Sequence, residues 1–216
     1  MAVGRGGIVA RLSYDDQVFI NCPFDGEYRP MFEALVFAVH DCGFVARCAM
    51  ELEDGSQVRI DKIEQIIGDC RLGIHDISRT ELDPTWSLPR FNMPLELGLF
   101  LGAKRYGTGP QRKKLCLILD RDQFRYQKYC SDIAGQDIQS HRGEPHEAVR
   151  RVRNWLRNAT ADSNVVIPSG SVMVERYERF QLALPLLCDK LRLTRDELLF
   201  NDFTTLTAEW LKINSW

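Results

Sequence analysis

Short apolar runs alternate with longer helical patterns through most of this 216-residue chain, and that alternation leaves few folds open. Gln17 to Asn21 is a compact β-rich run ending at Cys22-Pro23, after which Met31, Leu35, Val36 and Val39 recur at helical spacing up to a stop at Gly43. Phe44 to Cys48 forms the next strand. A polar loop through Asp54-Gly55-Ser56 leads into a helix with Ile60, Ile63 and Ile67 on one face. Leu72 to Ile77 is a third strand, the stretch from Asn92 to Ala103 a third helix, and Leu115 to Leu119 a fourth strand. The order βαβαβαβ with apolar strands predicts an α/β fold, an open parallel sheet with helices on both faces.

Further along, Phe124 to Tyr129 reads as a short helix, Ile133 to Ile138 as an edge strand around Gly135, and Pro145 to Leu156 as an amphipathic helix that completes an α/β domain over residues 17–157. A polar segment from Asn158 to Asn164 breaks the pattern. Pro168-Ser169-Gly170-Ser171 then introduces a C-terminal helical extension over residues 165–216, in which Thr194-Arg195-Asp196-Glu197 is a capping box that starts a further helix. The extension carries Tyr177, Phe180, Leu184, Phe200, Phe203, Leu206 and Trp210, too much apolar surface to leave in water. It is expected to bury that surface against the sheet domain or against another subunit or protein partner. Residues 1–16, glycine-rich at Gly4, Gly6 and Gly7, read as a flexible N-terminal segment.

Composition excludes several classes. A formal charge of −2 gives no chain-wide field for nucleic acid or an anionic membrane. Seven cysteines, odd in number and without a C-x-x-C pair, argue against a disulfide framework and a zinc site, and point to reduced core thiols in a cytoplasmic protein. No apolar stretch approaches the ~20 residues that cross a bilayer. G-x-G-x-x-G, P-loop and H-E-x-x-H motifs are absent from the sequence, which weakens dehydrogenase, NTPase and zinc-hydrolase readings.

Glu96 is the only charged residue between Asn92 and Ala103, so any rotation of that helix leaves its carboxylate close to the interior. With Asn92 as N-cap, the reciprocal acid of a capping box belongs at Leu95, one residue short of Glu96. The carboxylate is therefore a candidate functional group. Ligands of open α/β sheets lie outside the carboxyl ends of the strands, where this chain offers Asn21, Pro23, Phe24 and Asp25 after the first strand and Asp76, Ser78 and Arg79 after the third. Arg90 and Asn92 precede Glu96. Each has a plainer reading beside it: Pro23 and Asp25 as a turn, Asp76 as a loop cap, Phe24 as a lid over the core. Gly98 and Gly102 read as positions that let the helix approach the sheet.

Phe19-Ile20-Asn21-Cys22-Pro23-Phe24 resembles the first-strand motif of nucleoside 2-deoxyribosyltransferases, and Asp76 with Pro94-Leu95-Glu96-Leu97-Gly98 resembles that family's aspartate and its glutamate-x-glycine helix. The same layout resembles the TIR domain, a related flavodoxin-like fold with a glutamate on the helix after its third strand. Asn92-Met93 stands where TIR domains carry tryptophan-cysteine. The segment from Arg90 to Gly98 is also similar to one found in a family of bacterial proteins of this length. The resemblance covers residues 17–157 and implies cleavage of an N-glycosidic bond in NAD or another nucleoside or nucleotide, by hydrolysis, cyclisation or base exchange, with a role in anti-phage immunity. Glu96 would be the catalytic carboxylate, kept ionised at neutral pH by the helix N-terminus against the effect of burial. Asp76 would hold ribose hydroxyls, Phe24 would stack on the base, Arg79 or Arg90 would meet a phosphate, and Asn21, Ser78 and Asn92 would orient the substrate. No metal or cofactor is called for. Self-association, common among TIR-like enzymes, is a further implication. The alternative is a module that binds a nucleotide or signalling molecule without turning it over.

Overall fold

The structure is a computed structural model and describes residues 13–83, 85–160 and 166–215. Five parallel strands, β1 (Gln17–Asn21), β2 (Val45–Arg47), β3 (Leu72–Asp76), β4 (Leu115–Asp120) and β5 (Ile138–Ser140), lie in the order β2-β1-β3-β4-β5. This is the flavodoxin-like order. Every residue of β1 and β3 is buried, as strands covered on both faces must be, and their apolar runs follow from that burial. Asn21 stands opposite His75 in the register, so the two central strands end together.

Helices α1 (Arg29–Asp41) and α4 (Pro145–Ala159) cover one face, while α2 (Arg59–Asp69) and α3 (Asn92–Tyr106) cover the other. The extension forms α5 (Gly170–Leu191) and α6 (Phe200–Ile213), a further layer packed on α1 and α4. Phe37 of α1, fully buried, stacks on Phe180 at 5.2 Å and meets Tyr177 and Trp210 at 5.4 and 6.0 Å between ring centroids. Beside that cluster, the Arg176 guanidinium donates to both carboxylate oxygens of the buried Asp41, at 2.9 to 3.2 Å. Burial raises Asp41 and the Arg176 charge opposes the rise.

Several expected boundaries move. The edge strand begins at Ile138, where it was expected to end, because Ser131–Ile133 is a 3-10 turn and Gly135 takes a left-handed φ of +94°. Thr194 makes no side-chain cap. Arg195–Glu197 forms a 3-10 turn instead, and α6 starts at Phe200, where the Asp202 carboxylate accepts from the Leu199 N–H. Of the N-terminal segment, residues 1–12 lie outside the described residues, but Tyr14–Asp16 is a 3-10 turn anchored by the Arg71–Asp15 pair at 2.9 Å. No helix among the described residues is long and apolar enough to cross a membrane. All seven cysteines are free.

Because Phe37, Val36 and their neighbours are covered by α5 and α6, removal of everything beyond Ala159 exposes a broad apolar face. The truncated chain is expected to aggregate or to lose its cooperative thermal transition, read by circular dichroism and light scattering. A truncated chain that melts like the full-length protein would show that the sheet needs no such cover.

Candidate functional site

Three buried carboxylates, Asp76, Asp120 and Glu96, stand at the carboxyl ends of the strands, and the surroundings of the first two are opposite to those of the third. Asp76, the last residue of β3, is fully buried and accepts from the Tyr28 hydroxyl and from the Ser78 N–H at 2.8 Å, while His141 Nε2 lies 3.0 Å from Oδ2. His141 Nδ1 accepts from the Gly143 N–H, which leaves the proton on Nε2 facing Asp76. Burial pushes Asp76 up, but His141, Ser78 and Tyr28 together outweigh it and hold the acid below its ordinary value.

One strand further on, Asp120 at the end of β4 is likewise surrounded by donors. It accepts from the Arg121 N–H at 2.7 Å, from Arg125 at 2.6 and 2.9 Å, and from the Tyr129 hydroxyl at 2.9 Å. Arg125 also donates to the Ser78 carbonyl and Tyr129 to that of Ile77. The ends of β3, β4 and β5 are thereby sealed. A ribose could reach Asp76 only by displacing Tyr28 or His141, so the geometry gives this residue a structural task in place of the sugar-binding one the resemblance implies.

Glu96 lies on the other side of β3. Asn21 fixes it there. Its amide donates to the Met93 carbonyl at 2.9 Å and to His75 Nδ1 at 3.1 Å, tying the start of α3 to the ends of β1 and β3 three residues before Glu96. Burial lowers His75 to about 3, and the ring is neutral, packed on Phe100 at 4.8 Å. Gly73 is what admits this packing, since a Cβ there would come within 2.7 Å of Phe100 and 2.8 Å of His75 Nε2. Gly98 and Gly102, expected to serve that purpose, would meet nothing within 4 Å.

The Glu96 residue is 6 % exposed, and among the described residues its carboxylate has neither a hydrogen bond nor an ion pair. It lies close enough to Cys22 and Cys48, which follow β1 and β2, to act electrostatically on both. Burial raises its pKa to about 7, with the Arg59 charge opposing. The acid is therefore partly ionised at neutral pH. The helix begins at Asn92 after Phe91, with no side-chain cap, so Asn92 is not its N-cap and Glu96 is past the first turn, where the helix dipole has faded.

The remaining residues divide. Phe24, just after β1, is partly buried and touches the apolar clusters on both faces of the sheet. Pro23 is buried, and Asp25 accepts from the Tyr28 N–H at 3.1 Å, holding the turn into α1. Arg79 is drawn into acidic company, 2.8 Å from Glu27 and 3.5 Å from Asp25. Ser78 is bound through its main chain, whereas Arg90 and Asn92 are exposed. A cavity of about 490 Å³ is lined by Phe24 and Asp25 together with residues of α1, the β2–α2 loop and α6, and does not include Glu96. Tyr28, His141, Arg125, Tyr129 and Arg59 were not foreseen. Only the aspartates ending both the third and the fourth apolar runs hinted at a sealed rim. No metal-binding cluster is found among the described residues. No protein-family model matches the chain, and no curated protein matches it.

Replacing Asp76 by Ala strands the Tyr28 hydroxyl, the Ser78 N–H and His141 in the interior, and a loss of about 3–5 kcal/mol is expected, measurable by denaturant unfolding. Glu96 predicts the reverse. An acid raised from 4.5 to about 7 on folding costs stability as pH rises through that window. Glu96→Gln should therefore gain on the native protein by on the order of 2–3 kcal/mol between ~pH 4 and ~pH 8. A pH-independent difference between the two would mean that the carboxylate is solvated.

Proposed function

We propose that the chain cleaves the N-glycosidic bond of a nucleotide or nucleoside, NAD among them, with Glu96 as the carboxylate at the reacting carbon. The observation that supports this most is a buried carboxylate without a hydrogen-bond partner among the described residues, at the strand ends where α/β sheets bind their ligands. Structural carboxylates of this chain, Asp76 and Asp120, are surrounded by donors, and Glu96 is not.

As the bond from C1′ to the base breaks, its electron pair leaves with the base and positive charge develops on C1′ and the ring oxygen. A carboxylate beneath that face stabilises the cation or bonds to C1′, and water, a hydroxyl of the same substrate or a second base then attacks to complete hydrolysis, cyclisation or exchange. Phe24, partly buried just after β1, would offer its ring to the base. Arg90, exposed and outside the ion pairs described, suits a phosphate better than the engaged Arg79. Asn21 acts through α3 as a positioning residue. The alternative, a binding module without turnover, shares these strand ends. It gains support from the cavity at the β1–α1 loop, which includes Phe24 but not the Glu96 carboxylate.

Incubation of the protein with NAD and a panel of nucleosides and nucleotides, followed by chromatography for released base, tests the proposal. Glu96→Gln should keep its fold and lose at least ~10³-fold in turnover, as loss of a catalytic carboxylate does. Since only the ionised acid serves, wild-type turnover should rise with pH through about 7. Equal turnover by the folded variant would remove Glu96 from the chemistry and leave the binding module.

A further inference from the structure

The cavity beside the β1–α1 loop has a chemistry of its own. Phe24, Phe32, Phe200 and Phe203 supply its apolar wall, with Phe24 set edge-on to Phe32 at 5.4 Å and Phe32 6.0 Å from Phe200. Its volume of about 490 Å³ is in the range that encloses a small organic molecule. The ionisable groups on the lining are Asp25, Glu33, Glu51 and Glu53, against a single cation, Arg29.

That guanidinium is already engaged. It donates to Glu33 at 3.0 Å and to the carbonyls of Arg195 and Asp196 at 2.5 and 2.9 Å, so it offers little to an incoming anion. Glu51 is gripped by Arg47, Glu33 also by Arg195 and Gln181, and Asp25 lies 3.5 Å from Arg79, but none of these partners lines the cavity, so acids outnumber cations on its lining and Glu53 alone among them has no partner among the described residues. Glu53 is exposed and has no hydrogen bond or ion pair among the described residues. An anion would meet these carboxylates, and a purely apolar guest would leave them unused. A positive charge on a ring answers both the aromatic wall and the acidic rim.

We propose that this cavity is a binding site for a ring-bearing organic cation. The site needs the C-terminal extension. Leu198 to Phe203 form one side of it, Asn201 donates across it to the Glu51 carbonyl at 3.2 Å, and Arg29 holds the turn before α6. Glu96 does not line it, whereas Phe24, proposed above to meet the base, is shared, so the Glu96 variant is what separates this site from the proposed chemistry.

Titration calorimetry of the full chain with benzyltrimethylammonium, benzyl alcohol and benzoate tests the inference. The cation is expected to bind at least about tenfold more tightly than the neutral alcohol, and benzoate most weakly. Leu199→Arg, at an exposed lining position, sets a guanidinium in the mouth and should abolish cation binding, whereas Glu53→Gln should weaken it severalfold and leave the alcohol unchanged. Circular dichroism checks that both variants fold. Glu96→Gln should bind the cation as the wild type does, whatever becomes of its turnover. Equal affinity for cation and alcohol, preference for benzoate, no binding of the cation, or undiminished cation binding by both cavity variants would overturn the assignment.

Discussion

The carboxylate of Asp76 has no contact with solvent, and the groups that satisfy it come from three separate parts of the chain. Tyr28 belongs to the turn into α1, Ser78 to the loop leaving β3, and His141 to the segment just after β5. An ionised acid in the interior costs several kcal/mol unless its oxygens are fully hydrogen-bonded, so these segments must meet at one point or the acid cannot be buried. Asp120 repeats the arrangement with Arg125 and Tyr129. Between them the two aspartates close the rim of the sheet over β3, β4 and β5.

The ends of β1 and β2 carry no such aspartate, although Asn21, Cys22, Cys48 and Ala49 there are buried. Glu96 is held over them by the bond from Asn21 to Met93, yet no donor reaches its carboxylate among the described residues, and Arg59 only partly offsets the effect of burial. The contrast with Asp76 is one of solvation and not of location. Both acids stand at strand ends, but one has been given replacements for water and falls below its ordinary pKa, while the other has not and rises.

The helical extension joins the β1–α1 side to the rest of the core. Its α5 and α6 cover Phe37 through Tyr177, Phe180 and Trp210, while the first turn of α6 forms a wall of the cavity beside the β1–α1 loop. Loss of the extension would therefore remove both the cover of α1 and α4 and one side of the cavity. The same aromatic packing that stabilises the layer fixes the cavity's shape, because Phe200 and Phe203 contribute to both.

What the sequence determined by itself is what depends on near neighbours. Period and composition mark β1, α1, α2, β3, α3 and β4, and a lone acid amid Leu95, Leu97, Leu99 and Phe100 is bound to lie near the interior wherever its helix packs. Turns were harder to read even locally. Gly135 displaced the edge strand, and the box at Thr194 gave way to a 3-10 turn, since alternative local hydrogen bonds there differ by little and packing decides among them. Tertiary structure alone decided the partners. Tyr28 and His141 are 113 residues apart and share no pattern with Asp76, and Gly73 admits Phe100 while the helical Gly98 and Gly102 admit nothing. Whether a buried carboxylate is satisfied or left bare depends on which distant donors the fold brings within 3 Å, and periodicity carries no record of that distance.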